Sequence, residues 1–274
     1  MTLLTKNDRI AGAIMGAFIG DALGVGPHWY YDLDELKREY SGWISDYTLP
    51  KAGHYHAELT AGELSQSGII LRLTLASLLA NNGYKQADFC QRLEQDLFTQ
   101  LDFSNLNNPP KQGPGGYTSQ SIRETWHKRI QRQLPWEQCA GSADNTEALE
   151  RTLGIAACYA GQPKLLSAAV RANTLLTQDD EMVLTHTLVF NAVLGLLIEG
   201  HALDATLTDK LLAQVDCAEL PFCLPSSTSA DQALDLDDLS DTNLSCAEAL
   251  LTPAYMAKLA DNPATRIEPA WRVS

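Results

Sequence analysis

Two segments of this chain are apolar on almost every side of a helix, and they constrain the fold more than any other feature. In the stretch 69–80 the only charged residue is Arg72, and the stretch 182–198 contains no Asp, Glu, Lys or Arg. A helix without a polar face must be covered by other elements, whereas a surface helix keeps one polar side. The two segments predict a layered α-helical body with both helices at its centre.

Amphipathic patterns around these segments predict further helices and no parallel sheet. The first helix is expected to begin at Asn7 or Asp8, and Asp144 with Glu147 fits a capping box. The other predicted helices cover 33–40 (capped by Asp32), 88–101, 119–132, 146–159, 164–173 and 253–259. The stretch 41–62 has the composition of a loop, and 216–245 has that of a loop-rich excursion. Together these patterns predict one all-α domain over 1–274.

The predicted first helix carries a stripe of small residues. Gly12, Gly16 and Gly20 recur at every fourth position, and each glycine costs a helix roughly 1 kcal/mol relative to alanine. We therefore expect another helix to approach this face closely. The helix is expected to end in the run 20–24 and to present Asp21 there. That carboxylate has two open interpretations: it orients a water or ligand, or it caps a neighbouring helix.

Composition limits the function classes. The chain has 20 Lys and Arg against 34 Asp and Glu, a net charge of −14, which repels nucleic acid and anionic membranes. The N-terminus lacks the basic and apolar pattern of a signal peptide, so a cytoplasmic location is expected. Six cysteines without metal-site spacing are expected to be reduced, with Cys158 as a small core residue.

Three loop segments offer further chemistry, each with an ordinary structural alternative. His54 and His56 with Glu58 and Glu63 fit either a zinc site or an unremarkable loop. His28 with the aromatic residues 29–31 forms either an aromatic wall for a nucleoside base or packing against the first helix. The glycine-rich run 113–116 before a helix is either an anion-binding nest or a flexible connection.

The run 12–24, Gly-Ala-Ile-Met-Gly-Ala-Phe-Ile-Gly-Asp-Ala-Leu-Gly, is similar to the N-terminal motif of the ADP-ribosylglycohydrolase family. The likeness extends through the helix after Gly62, the helix after Asn145 and the segment 175–200. Segments 29–40, 50–51, 55–56 and 62–68 most resemble the branch of J-type crystallins and selenoprotein J. This resemblance implies a single orthogonal multi-helix domain. It also implies a cleft that binds ADP-ribose and two magnesium ions, which assist hydrolysis of an N- or O-glycosidic bond.

The chain departs from the family pattern where the resemblance places metal and phosphate. A family Thr-Asp-Asp-Thr run reads Ser65-Gln66-Ser67-Gly68, without either carboxylate that Mg²⁺ favours. The family's glutamate falls near His28, its threonine-histidine pair near 177–178, and its phosphate loop near 145–147, where Glu147 is expected to repel a diphosphate. A C-terminal aspartate motif has no match before Ser274. The C-terminal helices of the family are accordingly expected to be either natively absent or truncated.

Two functions follow as hypotheses. The first is a hydrolase of an ADP-ribosyl or related N- or O-glycosidic linkage, with impaired or absent magnesium dependence and with Asp21 and Glu63 as catalytic groups. The second is an inactive relative that binds a nucleotide-like ligand or serves as a crystallin-like structural protein. Predicted ligand-binding residues are His28, Trp29, Tyr55, Ser65, Gln66, Ser67, Asn145, Gln178 and Asp179. No residue is assigned to a metal. The expected partners are an ADP-ribose-like molecule or an ADP-ribosylated protein, and self-association is expected unless 221–241 covers exposed apolar surface.

Overall fold

The computed structural model describes residues 4–40, 42–103, 111–204 and 206–218, and this part of the chain is mostly helical. Its α-helices are α1 (Lys6–Val25), α2 (Leu33–Glu39), α3 (Gln66–Asn81), α4 (Gln86–Arg92), α5 (Gln120–Trp126), α6 (Glu147–Tyr159), α7 (Pro163–Thr174), α8 (Glu181–Glu199) and α9 (Leu207–Ala218). Two short strands, β1 (Leu101–Asp102) and β2 (Lys111–Gln112), pair antiparallel with Leu101 opposite Gln112. The predicted all-α fold is confirmed.

Most predicted helices lie within three residues of their observed bounds. The two apolar segments are α3 and α8, and α2 begins after Asp32, whose carboxylate accepts the amides of Asp34 at 2.9 Å and Glu35 at 3.2 Å. The helix α9 was not predicted. Residues from 219 onward lie outside the described part of the chain, and so do most of the predicted excursion 216–245 and the whole predicted helix 253–259.

Two predicted helix starts are wrong. The helix α1 begins after Thr5, which forms a reciprocal capping box with Asp8, so Asp8 belongs to the first turn and is not the N-cap. The predicted capping box of Asp144 and Glu147 does not form. The Glu147 side chain turns into the protein interior instead, and Thr146 stands at the N-cap of α6, where its side chain accepts no bond from the backbone of the first turn.

The segments 88–101 and 119–132 are not continuous α-helices. After α4 the chain forms a π-helical turn at Leu93–Leu97 and a 3₁₀ turn at Phe98–Gln100, and after α5 it forms a π-helical turn at His127–Gln131. The two π turns are joined by Arg129, whose Nε donates to the Glu94 carboxylate at 2.6 Å. Tertiary pairing of this kind is not visible in the helical period of the sequence.

The helix α6 lies at the centre of the fold, in contact with α1, α3, α7 and α8. It approaches α3 closely because Gly154 has no side chain: a Cβ atom there would lie 2.8 Å from a methyl group of Leu75. One apolar cluster joins α3, α4 and α5 around Ile70, Phe89 and Ile122. A second joins α6, α7 and α8 around Ile155, Val170, Leu184 and Leu188.

The helix α8 is, among the described residues, the one helix long and apolar enough to cross a membrane by length and composition. Its residues Val183, Leu188 and Ile198 are buried, and it packs against α1, α6, α7 and α9. These contacts are those of a core helix, as the sequence predicts for this segment.

Two expectations about small residues are wrong. Gly12 and Gly16 are exposed, and no atom of the described chain lies within 4 Å of the position that a Cβ would take at either residue. The close helix contact predicted for this stripe is therefore absent at Gly12 and Gly16, and α1 continues through Asp21 to Val25. Cys158 is exposed on α6 and is not a core residue. Cys90, Cys139 and Cys158 are free thiols.

Arg151 is the largest fully buried side chain in the described structure, and its guanidinium group connects α6 to α7 and to the turn that follows α7. Nε donates to the Asn173 side chain at 2.8 Å, Nη1 to the Thr177 hydroxyl at 2.6 Å and Nη2 to the Asn173 carbonyl at 2.9 Å. Burial lowers the pKa of Arg151, whereas the Glu147 carboxylate one turn away raises it. A buried cation with these partners holds the α6–α7 corner together.

Replacing Arg151 by alanine should lower the free energy of unfolding by about 3 kcal/mol or more, because its buried acceptors lose their donors and Glu147 loses the attraction of a nearby cation. Urea unfolding followed by circular dichroism measures the change. Arg171→Ala, which removes an exposed arginine of α7, is the matched control and should cost less than about 1 kcal/mol. Equal losses for the two variants would contradict the role given to Arg151.

Candidate functional site

Asp21 lies against the N-terminus of α3. Its carboxylate accepts a hydrogen bond from the Ser65 backbone amide at 2.8 Å and a second, short one from the Ser65 hydroxyl. Burial raises the pKa of Asp21, and the hydrogen bonds from Ser65 act in the opposite direction. The cap of α3 is the Ser65 hydroxyl, which accepts the amides of Ser67 and Gly68, so Asp21 supports the capping residue. A catalytic role for Asp21 remains a prediction.

Gln66 follows Ser65 on the first turn of α3, and its side chain is 3% exposed. The amide oxygen accepts the Ser119 backbone amide at 3.0 Å, and Nε2 has no hydrogen-bond partner. The oxygen that the sequence offered as a neutral metal ligand is thus used to join α3 to the start of α5. The unpartnered atom of this side chain is Nε2, a donor.

Glu147 points into the protein, although its position in the sequence suggested a charge facing the ligand. It is 6% exposed, and its two carboxylate oxygens accept short hydrogen bonds from the hydroxyls of Ser119 and Ser121. Two hydrogen bonds to serine hydroxyls hold the carboxylate between α5 and α6. The loop before α6 is therefore less obstructed by this side chain than its sequence indicates.

Glu150 lies three residues further along α6, on the same side of the helix, and is exposed. The Thr146 hydroxyl donates to its carboxylate at 3.2 Å. Crowding by neighbouring atoms raises the pKa of Glu150, and repulsion from Glu147 and Asp21 raises it further, against a hydrogen bond from Ser67. The head of α3 and the first turn of α6 thus bring together Asp21, Glu147 and Glu150 with Ser65 and Ser67.

Four predicted site residues have other recorded contacts. Glu63 is exposed, and its carboxylate accepts the Thr60 amide at 2.6 Å within its own turn. Gln178 is fully buried: its Oε1 accepts the Ala148 amide at 2.8 Å, and its Nε2 donates to the Asn145 carbonyl and side chain at 3.0 Å. Asp179 is exposed, and its backbone amide donates a hydrogen bond to the Gly141 carbonyl. Asn145 and Gln178 therefore shape the loop before α6, and ligand roles for these residues remain predictions.

Six rings from three loops form an aromatic cluster beside this site. Trp29 lies at its centre, with ring centroids 4.5 Å from His28, 4.8 Å from Tyr55 and 5.5 Å from Tyr117. The remaining members are Tyr31, 6.0 Å from Trp29, and His56, 5.0 Å from Tyr117. The negative charge of Glu147 contributes to a raised pKa of Tyr117, after burial. Tyr117 is therefore a ring of the aromatic cluster that is affected by the charge of Glu147.

The comparisons with known proteins agree with this architecture. The family model described as ADP-ribosylglycohydrolase matches residues 2–265. The chain belongs to the ADP-ribosylglycohydrolase family. No curated protein gives a significant match. Membership of the ADP-ribosylglycohydrolase family supports a hydrolase-like function and suggests ADP-ribosylated substrates.

At the head of α3, the atoms that would face the magnesium pair implied by resemblance to ADP-ribosylglycohydrolases already take part in hydrogen bonds. The Gln66 oxygen already accepts an amide, and Asp21 already accepts two donors from Ser65. In the described ranges no group of three or more His, Cys, Asp or Glu side chains has the geometry of a metal site. His54 and His56 belong to different ring contacts, with Tyr30 and with His28 and Tyr117.

Sequence reasoning missed Glu150, Tyr117 and the two serines that hold Glu147. One available signal was the spacing of Glu147 and Glu150, because residues three apart share a helix face. No comparable signal marks Ser119 and Ser121, since their partner lies 26 to 28 residues further along the chain. Tyr117 directly follows the glycine-rich run 113–116, and the pattern of that run indicates only backbone anion binding or a flexible connection.

Gly68→Ala should displace the Asp21 carboxylate, because a Cβ atom at position 68 would collide with it. Overpacking at such a contact costs about 1–3 kcal/mol, so the variant should be less stable by that amount in urea unfolding. Gly16→Ala is the matched control: it is exposed on α1 with open space around it and should gain up to about 1 kcal/mol. A stabilised Gly68→Ala protein would contradict the close approach of Asp21.

Burial lowers the pKa of His56 to about 4, with a further contribution from the nearby His28. The unfolded chain binds a proton at this residue near pH 6.5 and the folded chain does not, so stability falls as the pH decreases from about 6.5 towards 4. Between pH 7 and pH 5 this residue should cost the fold about 2 kcal/mol. In His56→Asn the loss should be smaller by that amount, measured by urea unfolding at both pH values. His127→Asn, at an exposed position, should keep the wild-type pH dependence.

Proposed function

We propose that this protein hydrolyses the N- or O-glycosidic bond of an ADP-ribosyl group or a closely related glycosyl group, without the paired magnesium ions. The expected substrate is an ADP-ribosylated protein or a small ADP-ribose-like molecule. Within the family, we propose that it belongs with the J-type crystallin and selenoprotein J branch, on the likeness in segments 29–40, 50–51, 55–56 and 62–68. Family membership supports the hydrolase class, and the arrangement of carboxyl groups supports the metal-free chemistry.

The observation that carries this proposal is the convergence of two carboxyl groups, those of Asp21 and Glu150, at the head of α3. Asp21 is held there by Ser65, and Glu150 reaches the same place from α6, where Ser67 and Thr146 bond it. Glycosidic hydrolysis commonly uses one carboxylic acid and one carboxylate on either side of the bond. A raised pKa favours the protonated form, which a general acid needs near neutral pH.

In the proposed step, Glu150 donates its proton to the nitrogen or oxygen of the departing side chain as the bond to the anomeric carbon breaks. Asp21 accepts a proton from the attacking water, whose oxygen forms the new bond to the same carbon. The products are the free sugar hydroxyl and the released side chain, and the two carboxyl groups exchange protonation states. Solvent restores both groups before the next turnover.

A second candidate function is ligand binding or a structural role without catalysis. It is favoured by the satisfied state of the groups at the head of α3, where Asp21 holds the N-cap residue Ser65 and the Gln66 oxygen joins α5. Catalytic groups of an active enzyme need atoms free to contact the substrate. Glu150, which is exposed, is the group that distinguishes the two candidates.

Hydrolysis of ADP-ribosyl-arginine and ADP-ribosyl-serine substrates by the full chain tests the proposal. Glu150→Gln should lower kcat by about 10²–10⁴-fold, because the amide cannot donate the proton that the leaving group requires. The wild-type rate should fall as the pH rises above the pKa of Glu150. This decrease of the rate at high pH should be absent in Glu150→Gln. Glu181→Gln, which neutralises an exposed glutamate on α8, is the control and should retain the wild-type rate.

Chelation of divalent metal ions tests whether the proposed hydrolysis is independent of magnesium, separately from whether hydrolysis occurs. Turnover that persists in excess EDTA supports metal-free chemistry, whereas strict dependence on added Mg²⁺ would contradict it. Absence of turnover on both substrates, together with stabilisation by ADP-ribose in thermal unfolding, would favour the ligand-binding candidate. A ligand at one hundred times its Kd adds about 2.7 kcal/mol to the free energy of unfolding, so such binding would be measurable.

A further inference from the structure

A groove of about 460 Å³ lies on the face of the protein formed by α4, the two π-helical turns and the 3₁₀ turn Trp136–Gln138. Its lining includes Gln86, Gln91, Glu94, Arg129, Trp136 and Glu137. None of these residues belongs to the head of α3 or to the aromatic cluster. Clefts that bind small molecules usually have volumes of about 300–1,000 Å³ and a few polar groups that fix the ligand. The groove therefore has the size of a second ligand site.

Irregular backbone borders this groove. Glu94 lies on the π-helical turn Leu93–Leu97, and Arg129 lies on the π-helical turn His127–Gln131. Such turns are rare and occur frequently at functional sites. Gln133, in the connection that follows the second turn, has φ = 53°, in the left-handed region that residues other than glycine rarely adopt. Conformations of this kind cost free energy and concentrate at ligand sites.

The polar groups of the groove keep hydrogen-bonding capacity. Oε1 of Glu94 accepts Nε of Arg129 at 2.6 Å and Nε1 of Trp136 at 2.8 Å, whereas Oε2 has no hydrogen-bond partner among the described residues. Nη1 of Arg129 donates to the Leu134 carbonyl at 3.0 Å, and in the described ranges Nη2 has no acceptor. The other polar side chains of the lining without a hydrogen bond to a described residue are those of Gln86, Gln91 and Glu137.

The charges of the lining favour a neutral ligand. Arg129 and Glu94 compensate each other as an ion pair, and Glu137 adds an exposed carboxylate. An anion would be repelled by the two carboxylates, and a cation would be repelled by the guanidinium group. A neutral hydroxyl group both donates and accepts hydrogen bonds, so several hydroxyls can satisfy carboxylate oxygens, guanidinium N–H groups and side-chain amides together.

We propose that this groove binds a small neutral polyhydroxylated ring of the monosaccharide or disaccharide class. Ligand hydroxyls donate to Oε2 of Glu94 and to the Glu137 carboxylate, and they accept from Nη2 of Arg129. The half-buried Trp136 ring, which stacks on Phe98 with centroids 5.9 Å apart, provides apolar surface for the carbon atoms of the ligand ring.

A peptide amide is the competing neutral ligand, because it also donates and accepts. Its N–H and C=O groups point in opposite directions, whereas neighbouring ring hydroxyls point to the same side. The free donor of Arg129 and the free acceptor of Glu94 belong to one ion pair and therefore lie close together. Neighbouring hydroxyls can bond both atoms at once, which favours the sugar.

Saturation-transfer NMR on the full chain tests the ligand class. The neutral rings are D-glucose, D-galactose, D-mannose, D-ribose and D-xylose, and the competing probes are acetate, methylguanidinium and N-acetylglycine methylamide. At least one sugar should receive saturation from the protein, and the competing probes should not. Saturation of a competing probe without any sugar, or of no probe at all, would overturn the proposal.

Glu137→Ala removes two acceptor oxygens from an exposed position, so the packing around the groove should be preserved. It should raise the Kd of the bound sugar by about tenfold, the equivalent of about 1.4 kcal/mol. Glu181→Ala, which removes an exposed glutamate of α8, is the matched control and should keep the wild-type Kd. The same Kd in Glu137→Ala and in the wild type would refute the proposed contact.

A measurement on the wild-type protein locates the bound sugar. Because Nε1 of Trp136 donates to Glu94, its indole signal in a ¹H–¹⁵N spectrum should shift when a hydroxyl bonds the same carboxylate. The Trp43 signal, from a side chain that is 57% exposed and outside the groove, should not shift. Sugar binding that leaves the Trp136 signal unchanged, as binding at the head of α3 would, overturns the proposal.

This groove site goes beyond the proposed hydrolysis and does not depend on it. Glu150→Gln, which should abolish turnover, should leave the sugar-dependent shift of the Trp136 signal unchanged. Loss of that shift in Glu150→Gln would place the sugar at the head of α3 and refute the groove site. Absence of turnover on every ADP-ribosyl substrate would remove the hydrolase alone.

Discussion

The hydrogen bonds between Asp21 and Ser65 connect the end of α1 to the beginning of α3, and the rest of the site depends on this contact. The carboxylate holds the N-cap residue Ser65, and the Ser65 hydroxyl in turn accepts the backbone amides of Ser67 and Gly68, which would otherwise be unpaired at the start of α3. The position of Gly68 follows, since any side chain there would occupy the space of the carboxylate. The same contact fixes where Gln66 and Ser67 point, towards α5 and α6 respectively.

Around this contact the protein uses its own polar groups to satisfy one another. Gln66 bonds the backbone of Ser119, the Ser119 hydroxyl bonds Glu147, and Glu147 lies one turn from the buried guanidinium of Arg151. Such a network is costly when one member is removed, because the partner left behind stays buried and unpaired. Glu150 differs from these residues because it is exposed. That difference makes it the clearest candidate for chemistry on a substrate.

The fold was largely predictable from the sequence, but the candidate site was only partly so. The helical period and apolar character of α3 and α8 predicted that both segments are helices at the centre of the fold, because a helix without a polar face must be buried. The head of α3 and Asp21 were identified from the run 12–24 and from 65–68. Glu147 was misjudged, since its spacing from Asp144 indicated a helix cap, whereas the hydroxyls of Ser119 and Ser121 attract it into the interior. The partners of a buried carboxylate lie far away in the sequence and leave no periodic signal.

The sequence by itself determined the helical class, the central helices and the family, because apolar period and local motifs are properties of neighbouring residues. Only the tertiary structure decided which polar groups are hydrogen-bonded within the protein and which remain available to a ligand. Gln178 and Glu147 are used internally, whereas Glu150 is exposed and the ring nitrogens Nε1 of Trp29 and Nδ1 of His56 have no hydrogen-bond partner in the described chain. Hydrogen bonding and desolvation act between residues brought together from distant segments, and their outcome exists only once the helices have packed.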